Sequence, residues 1–470
     1  MILSIARKEL KEIVREGRFR VTAGVVLALL LAAVFISNQY YQSVNAQHAQ
    51  AKENARSEWV NQGEKNPHSA AHYGTYAFKP KYPLSLIDSG IDKYAGISIF
   101  LEAHKRSEAQ YAAAQDQTAL SRFGDLTPDF VLIFIMPLLI ILIGFNAITR
   151  ERESGTLRLL RGQGVPAWKL ALGKWLGIFI PVLLIVLPVY ILSALFLANV
   201  NDYGEFSLGA LSLLFLVYIL YYAVFTNLTL MVSSLVRKSN IAFVILLGIW
   251  IVSCLAMPKI STALADTLYP YPTQVEFEEQ IAQDKEQGLD GHNPWSAEAK
   301  KLDAETLEKY GVDSVQQLPF NWDGFLMQEG EKHEADIYFK HYQFLKETFH
   351  NQTGVYRATA ALSPFLPTRF LSMAISRTDY TAHWDFADAA EKYRIELVGK
   401  MNGHMMDNSQ TGDWYYTVGK EVWESVPEFD YEPPTYAAVL NNNSSNLLTL
   451  LGWVLLSSVG LYGAIQRLKV

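Results

Sequence analysis

Cysteine is nearly absent from this 470-residue sequence. Its single copy, Cys254, lies inside an apolar run, so neither an intramolecular disulfide nor a thiolate metal cluster can form. Charge is scarce as well: 19% of residues are charged against 50% hydrophobic and 13% aromatic, where a soluble domain carries about 25% charged residues. A mean hydropathy of +0.08 is nevertheless too low for a chain embedded in lipid throughout. The charges must be unevenly distributed, and the chain must divide between bilayer and water. Also missing is any G-x-x-x-x-G-K-[ST] loop; Gly173-Lys174 lacks the upstream glycine and opens an apolar run rather than following a strand. No GxSxG or HExxH pattern occurs, and no nucleophile stands beside a base, which points away from catalysis within the chain. No repeat of 20 to 50 residues is present, so a solenoid is excluded.

What is there is six stretches without a single Asp, Glu, Lys, Arg or His: 21–36 (extendable to 41), 130–148, 175–198, 208–236, 241–257 and 447–465. A bilayer core about 30 Å thick needs about 20 apolar residues in a helix, so six spans are expected. Lys and Arg cluster beside them at 7–20, 150–174, 237–238 and 467–469, all on one side if there are six spans. Of the 40 basic and 47 acidic residues, 16 and 5 fall on that side (+11), which leaves 24 and 42 (−18) on the other. The positive-inside rule places both termini in the cytoplasm. A cleaved signal peptide is not expected, because the charged leader of about 20 residues far exceeds a usual n-region.

The expected layout is therefore an amphipathic segment at 1–20, spans at 21–41, 129–148, 175–198, 208–236, 241–258 and 446–465, and a cytoplasmic loop at 149–174. Extracytoplasmic segments occupy 42–128 and 259–445, more than half the chain, with a cytoplasmic tail at 466–470. The fold class is an all-α polytopic membrane protein whose outer domain is mainly helical, α or α+β. Outer helices are expected over 276–287, 297–309 and 331–350, separated by linkers such as His292-Asn293-Pro294-Trp295 and Glu432-Pro433-Pro434. A ten-residue connection around 199–207 joins the third and fourth spans. All ten histidines fall in the outer segments. His68 and His72 are four apart, but Pro67 and Gly74 argue against a continuous helix there. Met401, His404, Met405 and Met406 would suit Cu(I), yet surface histidines and a methionine-rich helix end explain them more simply, and no metal site is expected. No cofactor is expected in the chain itself.

Two cytoplasmic features carry functional information. In the opening segment Ile2, Ile5, Leu10, Ile13 and Val14 share one helical face, which suits a helix lying at the membrane surface and turning at Gly17 into the first span. The loop TRERESGTLRLLRGQGVPAWKLALGKW supplies Glu151 and Glu153, then Gly155, a short helix with Leu157, Leu159 and Leu160, a Gly162-Gln163-Gly164 break, Pro166 at a helix start and Gly173-Lys174 at the next span. Two short helices with exposed leucines and both charge signs form a docking knob, which an isolated membrane protein has no reason to display.

This loop, the six-span layout and the amphipathic N-terminal helix resemble the ABC-2-type permeases, the membrane subunits of ATP-binding-cassette transporters. The resemblance implies that Glu151, Glu153, Gly155, Thr156, Leu157, Leu160, Pro166, Gly173 and Lys174 form a coupling helix seated on a cytoplasmic ATPase subunit, which binds the ATP and magnesium, and that the N-terminal helix connects to it. Residues 66–80 (NPHSAAHYGTYAFKP) and 363–394 look like signatures of a bacterial subfamily with a large extracytoplasmic insert, similar to nitrous-oxide-reductase-maturation and gliding-motility permeases. In one place the pattern differs, with Ile375-Ser376-Arg377-Thr378-Asp379 where Ala-Gly-Thr-Asp is expected. The resemblance implies a bacterial inner-membrane, multi-pass subunit that pairs with a second copy or a related permease, contacts lipid and possesses an outer domain able to meet a periplasmic partner. Nothing points to nucleic acid. Export driven by the partner's ATP hydrolysis is the expected function; the alternative is a mechanotransmitting subunit that works on a periplasmic partner without moving substrate.

Overall fold

A computed structural model describes residues 1–110, 126–198 and 206–468. The third-to-fourth span connection at 199–205, part of the first outer segment at 111–125 and Lys469 of the tail lie outside it. The chain is 76% helical and 3% strand, so the outer domain is α with one small sheet. Among the described residues, six helices are long and apolar enough to cross a membrane. Helices suit that task because every backbone bond is closed within the segment.

Helix α1 (Ile2–Arg15) ends where Glu16 turns extended, and α2 (Gly17–Val60) runs 44 residues without interruption. The first span is expected over 21–41, and the helix that contains it runs on: Val26, Leu30, Ala33, Tyr41, Asn45, His48, Ala55 and Trp59 form one buried stripe at helical spacing from the apolar half into the polar half. It is followed by α3 (Pro67–Tyr73), a correction to the expected break: Pro67 occupies the first turn, where its missing N–H is no loss, the Asn66 side chain caps the His68 N–H, and Gly74 (φ +69°) ends the helix. The strands β1 (Thr75–Phe78), β2 (Ser98–Glu102) and β3 (Lys105–Arg106) pair antiparallel in that order, Thr75 opposite Leu101 and Glu102 opposite Lys105.

The second span, α4 (Pro128–Glu153), is followed by α5 (Thr156–Gly162), α6 (Ala167–Leu197) and α7 (Leu208–Leu235), and then by α8 (Ser239–Leu268), which like α2 outruns its expected end. Both α4 and α8 contain a π-helical turn, Val131–Ile135 and Ile251–Ala256, just ahead of a Met-Pro step. Proline removes one donor, which leaves the carbonyls of Leu132 and Ser253 without the partner that the π register would give them. The Tyr222 hydroxyl donates to Leu132 O at 2.9 Å and the Ser363 hydroxyl to Ser253 O at 2.9 Å. In lipid such freed carbonyls must find side-chain donors. Helices α4 and α7 are the most enclosed of the six spans, whereas α2, α8 and the last span show apolar faces outward.

In the second outer segment, α9 (Gln274–Glu286) and α10 (Ala297–Tyr310) agree closely with expectation. The third expected helix is the centre of a longer one, α11 (Trp322–Thr359), whose start is capped by Asn321. Then come α12 (Phe365–Ile375), α13 (Tyr380–Asn408), α14 (Tyr436–Asn442) and the sixth span α15 (Ser444–Gln466). Helix α12 packs on α7 and α15 and shares their apolar cluster through Phe365, Leu366, Leu371 and Ile375. It is pinned by Arg369, which reaches both carboxylate oxygens of Asp88 at 3.0 Å and Asp129 at the head of α4, while Ser372 donates to Asp88. Asp88 is fully buried, and burial lifts its carboxyl to about 6 against the pull of Arg369. Residues 363–394 thus contain the joint between the outer domain and the spans. Outside the bilayer, α11 and α13 form the scaffold on which α3 and the sheet rest.

Candidate functional site

The 149–174 loop is built on α1, whose buried face is Ala6, Glu9 and Ile13, with Ile2 and Ile5 half-buried beside them. This face is rotated from the expected one, for Val14 is exposed. It lies on α6, and two glycines permit the approach: a Cβ on Gly173 would stand 2.6 Å from Ile5 Cβ, and one on Gly177 2.6 Å from Glu9 Cβ. In the middle of this apolar contact, Glu9 (3% exposed) accepts from Lys174 Nζ (1% exposed) at 2.8 Å. Lys174 also lies 3.0 Å from Glu151 Oε1, which Lys8 Nζ reaches at 3.1 Å. Glu12 continues the chain by pairing with Lys8 and Arg150. Burial is the largest single influence on the Lys8 ammonium and works against it, but the charge and hydrogen bond of Glu151 and the charges of Glu12 and Glu9 together outweigh it and hold Lys8 above the ordinary lysine value. Opposite charges alternate along the whole chain, so α1, the end of α4 and the start of α6 are locked into one register.

The neighbouring residues bolt the loop to the turn between α7 and α8. Arg152 donates to the carbonyls of Ser234, at 2.8 Å, and Val236, at the C-terminus of α7. Glu153 accepts from the Ser239 N–H and the Ser239 hydroxyl, both at 2.8 Å, at the N-terminus of α8. A cation on carbonyls that lack helical partners and an anion on free N–H groups each match the helix dipole. Gly155 takes φ +76°, a left-handed conformation that lets Thr156 start α5, and the Thr156 hydroxyl donates to the carbonyl of Glu151 at 3.2 Å. Pro166 stands just before α6 as its cap residue rather than inside the first turn, its carbonyl accepting from Lys169 and Leu170.

The structure divides the expected coupling residues in two. Glu151, Leu157, Gly173 and Lys174 face inward, which corrects the picture of uniformly exposed leucines: Leu157 is buried, Leu160 half-buried and only Leu159 stands out, at 66%. Glu153 and Thr156 remain at the surface, and Gly155 and Pro166 shape the turns. The exposed tip is Arg158, Leu159, Gln163 and Trp168. Sequence reasoning missed Glu9, Lys8 and Gly177, although a glutamate set within an apolar helical stripe is a readable signal of a buried partner. Outside the loop, His404 Nδ1 lies 3.4 Å from the Tyr416 hydroxyl, and Met401 packs with Trp423 in the outer core.

None of the curated proteins compared with this chain matches it. A family model for the ABC-2 family transporter protein matches residues 3–459, and the chain accordingly belongs to that family, as a membrane permease subunit whose ATPase is a separate polypeptide.

Proposed function

We propose that this subunit is an exporter half, paired with a second permease copy or paralogue in a bacterial inner membrane, and that the tip of the 149–174 loop is where the ATPase subunit seats. The observation that supports this reading most is the division within the loop. Its inner residues form an ion-paired frame with α1 and the α7–α8 turn, while Arg158, Leu159 and Trp168 stand free of it. A frame rigidly joined to four spans and carrying an exposed apolar and basic tip can convert displacement of a docked partner into rotation of the spans. Glu151 belongs to the frame, so reversing its charge would test folding rather than docking.

The experiment uses the permease with its ATPase in proteoliposomes. Leu159→Asp combined with Arg158→Glu abolishes stimulated ATP turnover while the thermal stability of the permease is unchanged; full turnover in the double variant refutes the assignment. A second reading, work on a periplasmic partner without flux, is favoured by the passage of α2 and α8 from bilayer to outer domain without a break. ATP-dependent efflux from sealed vesicles supports export. ATP-dependent change in amide exchange of the outer domain, with no efflux, supports the second reading.

A further inference from the structure

Four of the ten histidines meet in the outer domain. His68 and His72 lie one turn apart on α3, His104 occupies the two-residue turn between β2 and β3, and His292 lies in the loop before α10. One ring nitrogen from each is within 4.8 Å of the other three. Nε2 of His68 stands 3.0 Å from Nε2 of His292 and 3.1 Å from Nε2 of His72. Nitrogens arranged tetrahedrally about one zinc ion at its usual bond length lie about 3.3 Å apart, so small side-chain rotations bring these rings to ligating distance.

The surroundings orient the rings as metal sites require. His104 Nδ1 faces Glu334 Oε2 at 2.8 Å and Glu331 Oε2 at 3.3 Å. Carboxylates only accept, so the proton sits on Nδ1 and Nε2 presents a lone pair. That Nε2 is buried with no hydrogen-bond partner among the described residues, a costly arrangement that a cation would relieve. His68 Nδ1 faces the Asn402 amide oxygen at 2.8 Å, which turns its Nε2 toward the same point. A carboxylate or amide behind a ligating imidazole is the usual device for fixing tautomer and ring orientation. The carboxylates themselves are already charge-matched: Lys285 pairs with Glu334 at 2.9 Å, and Arg394 with Glu331 and Glu391. They act behind the histidines rather than as ligands.

The backbone is shaped to the same end. His104 adopts φ +63°, unusual for a residue with a Cβ, and is held there by its N–H on Glu331 at 2.9 Å and by Lys285 on its carbonyl at 3.0 Å. His292 is brought in by contact between two glycines, since a Cβ on Gly330 of α11 would lie 2.5 Å from Gly291 N. His72 and His292 are exposed on their outer sides, which leaves a path for an ion to enter.

We infer that His68, His72, His104 and His292 are the ligands of one divalent transition-metal ion, Zn2+ above others, with Glu334 and Asn402 orienting the rings. An all-imidazole set suits zinc, copper or nickel and not the oxygen-seeking calcium or magnesium. Four protein ligands close the coordination sphere, which makes the site structural. Three ligands come from the first outer segment, and His292 with both orienting residues from the second, so the ion would cross-link the two halves in a domain that has no cysteine for a disulfide.

The test uses the full-length protein in detergent, purified on a histidine-free tag, stripped with chelator and dialysed. Elemental analysis after Zn2+ loading reads one equivalent per chain, and competition with a chromophoric chelator gives the affinity. Co2+ loading gives the intense visible bands of a tetrahedral site. Glu334→Gln weakens Zn2+ binding about 10–100-fold, His68→Gln with His292→Ala weakens it further and removes the cobalt bands, and His404→Gln changes nothing. Matching thermal unfolding of all apo proteins shows that the variants fold. Stoichiometry well below one, or affinity indifferent to His68→Gln with His292→Ala, overturns the inference and leaves a cluster of imidazoles sharing protons. Tighter binding of Cu2+ than of Zn2+, beyond the usual preference of nitrogen ligands for copper, together with tetragonal spectra, overturns the choice of zinc.

Discussion

Replacing Lys174 by methionine probes the joint between α1 and α6. Methionine keeps the length and apolar stem of lysine but leaves Glu9 buried without a cation; its carboxylate lay 2.8 Å from the ammonium. At an effective dielectric of about 20, a pair at this distance attracts by about 6 kcal/mol before desolvation. Removing one partner of a buried pair typically costs about 3–5 kcal/mol. Glu151 keeps Lys8 at 3.1 Å, so the damage falls on Glu9 and hence on α1. The short helix can release without unfolding the spans, so the cost appears as local opening. Amide exchange over 2–15 should accelerate about 10²–10³-fold, in line with 1.4 kcal/mol per power of ten, while exchange in α4 and α7 is unchanged. Adding Glu9→Leu removes the orphaned charge and should restore most of the protection, since a buried pair replaced by apolar residues is often neutral. Unaltered exchange in α1 of Lys174→Met, or a double variant no better than the single one, would refute the role given to this ion chain.

Two further substitutions probe the packing. Gly177→Val places a side chain against the Glu9 stem at 2.6 Å and should loosen α1 by about 1–3 kcal/mol, read by the same exchange experiment and by cleavage with trypsin at Arg7 and Lys11. Arg369→Met strands Asp88 and Asp129 at the junction of α12 with the spans, and should lower stability by about 3–5 kcal/mol in SDS-induced unfolding; Arg369→Met with Asp88→Asn should recover part of it.

The spans were legible because one signal, the absence of charge over about 20 residues, is sufficient for a helix in lipid. The ends of α2 and α8 were not. Beyond Tyr41 the buried stripe of α2 passes through Asn45 and His48, which hydropathy scores as surface although both are buried. The 149–174 loop was legible as a connection between two spans but not in its inner organisation. Leu157 and Leu159 have the same character in sequence, and only the turn at Gly155 decides which of them faces inward. Glu151 and Lys174 stand 23 positions apart and Glu9 much farther, so their meeting depends on how α1 folds back along α6. The histidine cluster was illegible for the same reason: only the His68 to His72 spacing is local, and even that was obscured by a proline that proves to start the helix rather than break it.

The length of α2 also sets a mechanical gain. Forty-four helical residues make a rod about 66 Å long, and a tilt of about 5° about its inner end carries the far end sideways by about 6 Å. A rearrangement too small to resolve at the inner membrane surface would therefore be several times larger near Trp59, where the rod meets Trp423 and the rest of the outer core. Spectroscopic probes placed at that end would report the cycle with the greatest sensitivity, and a pair of glycines inserted midway would uncouple the ends while leaving each one folded.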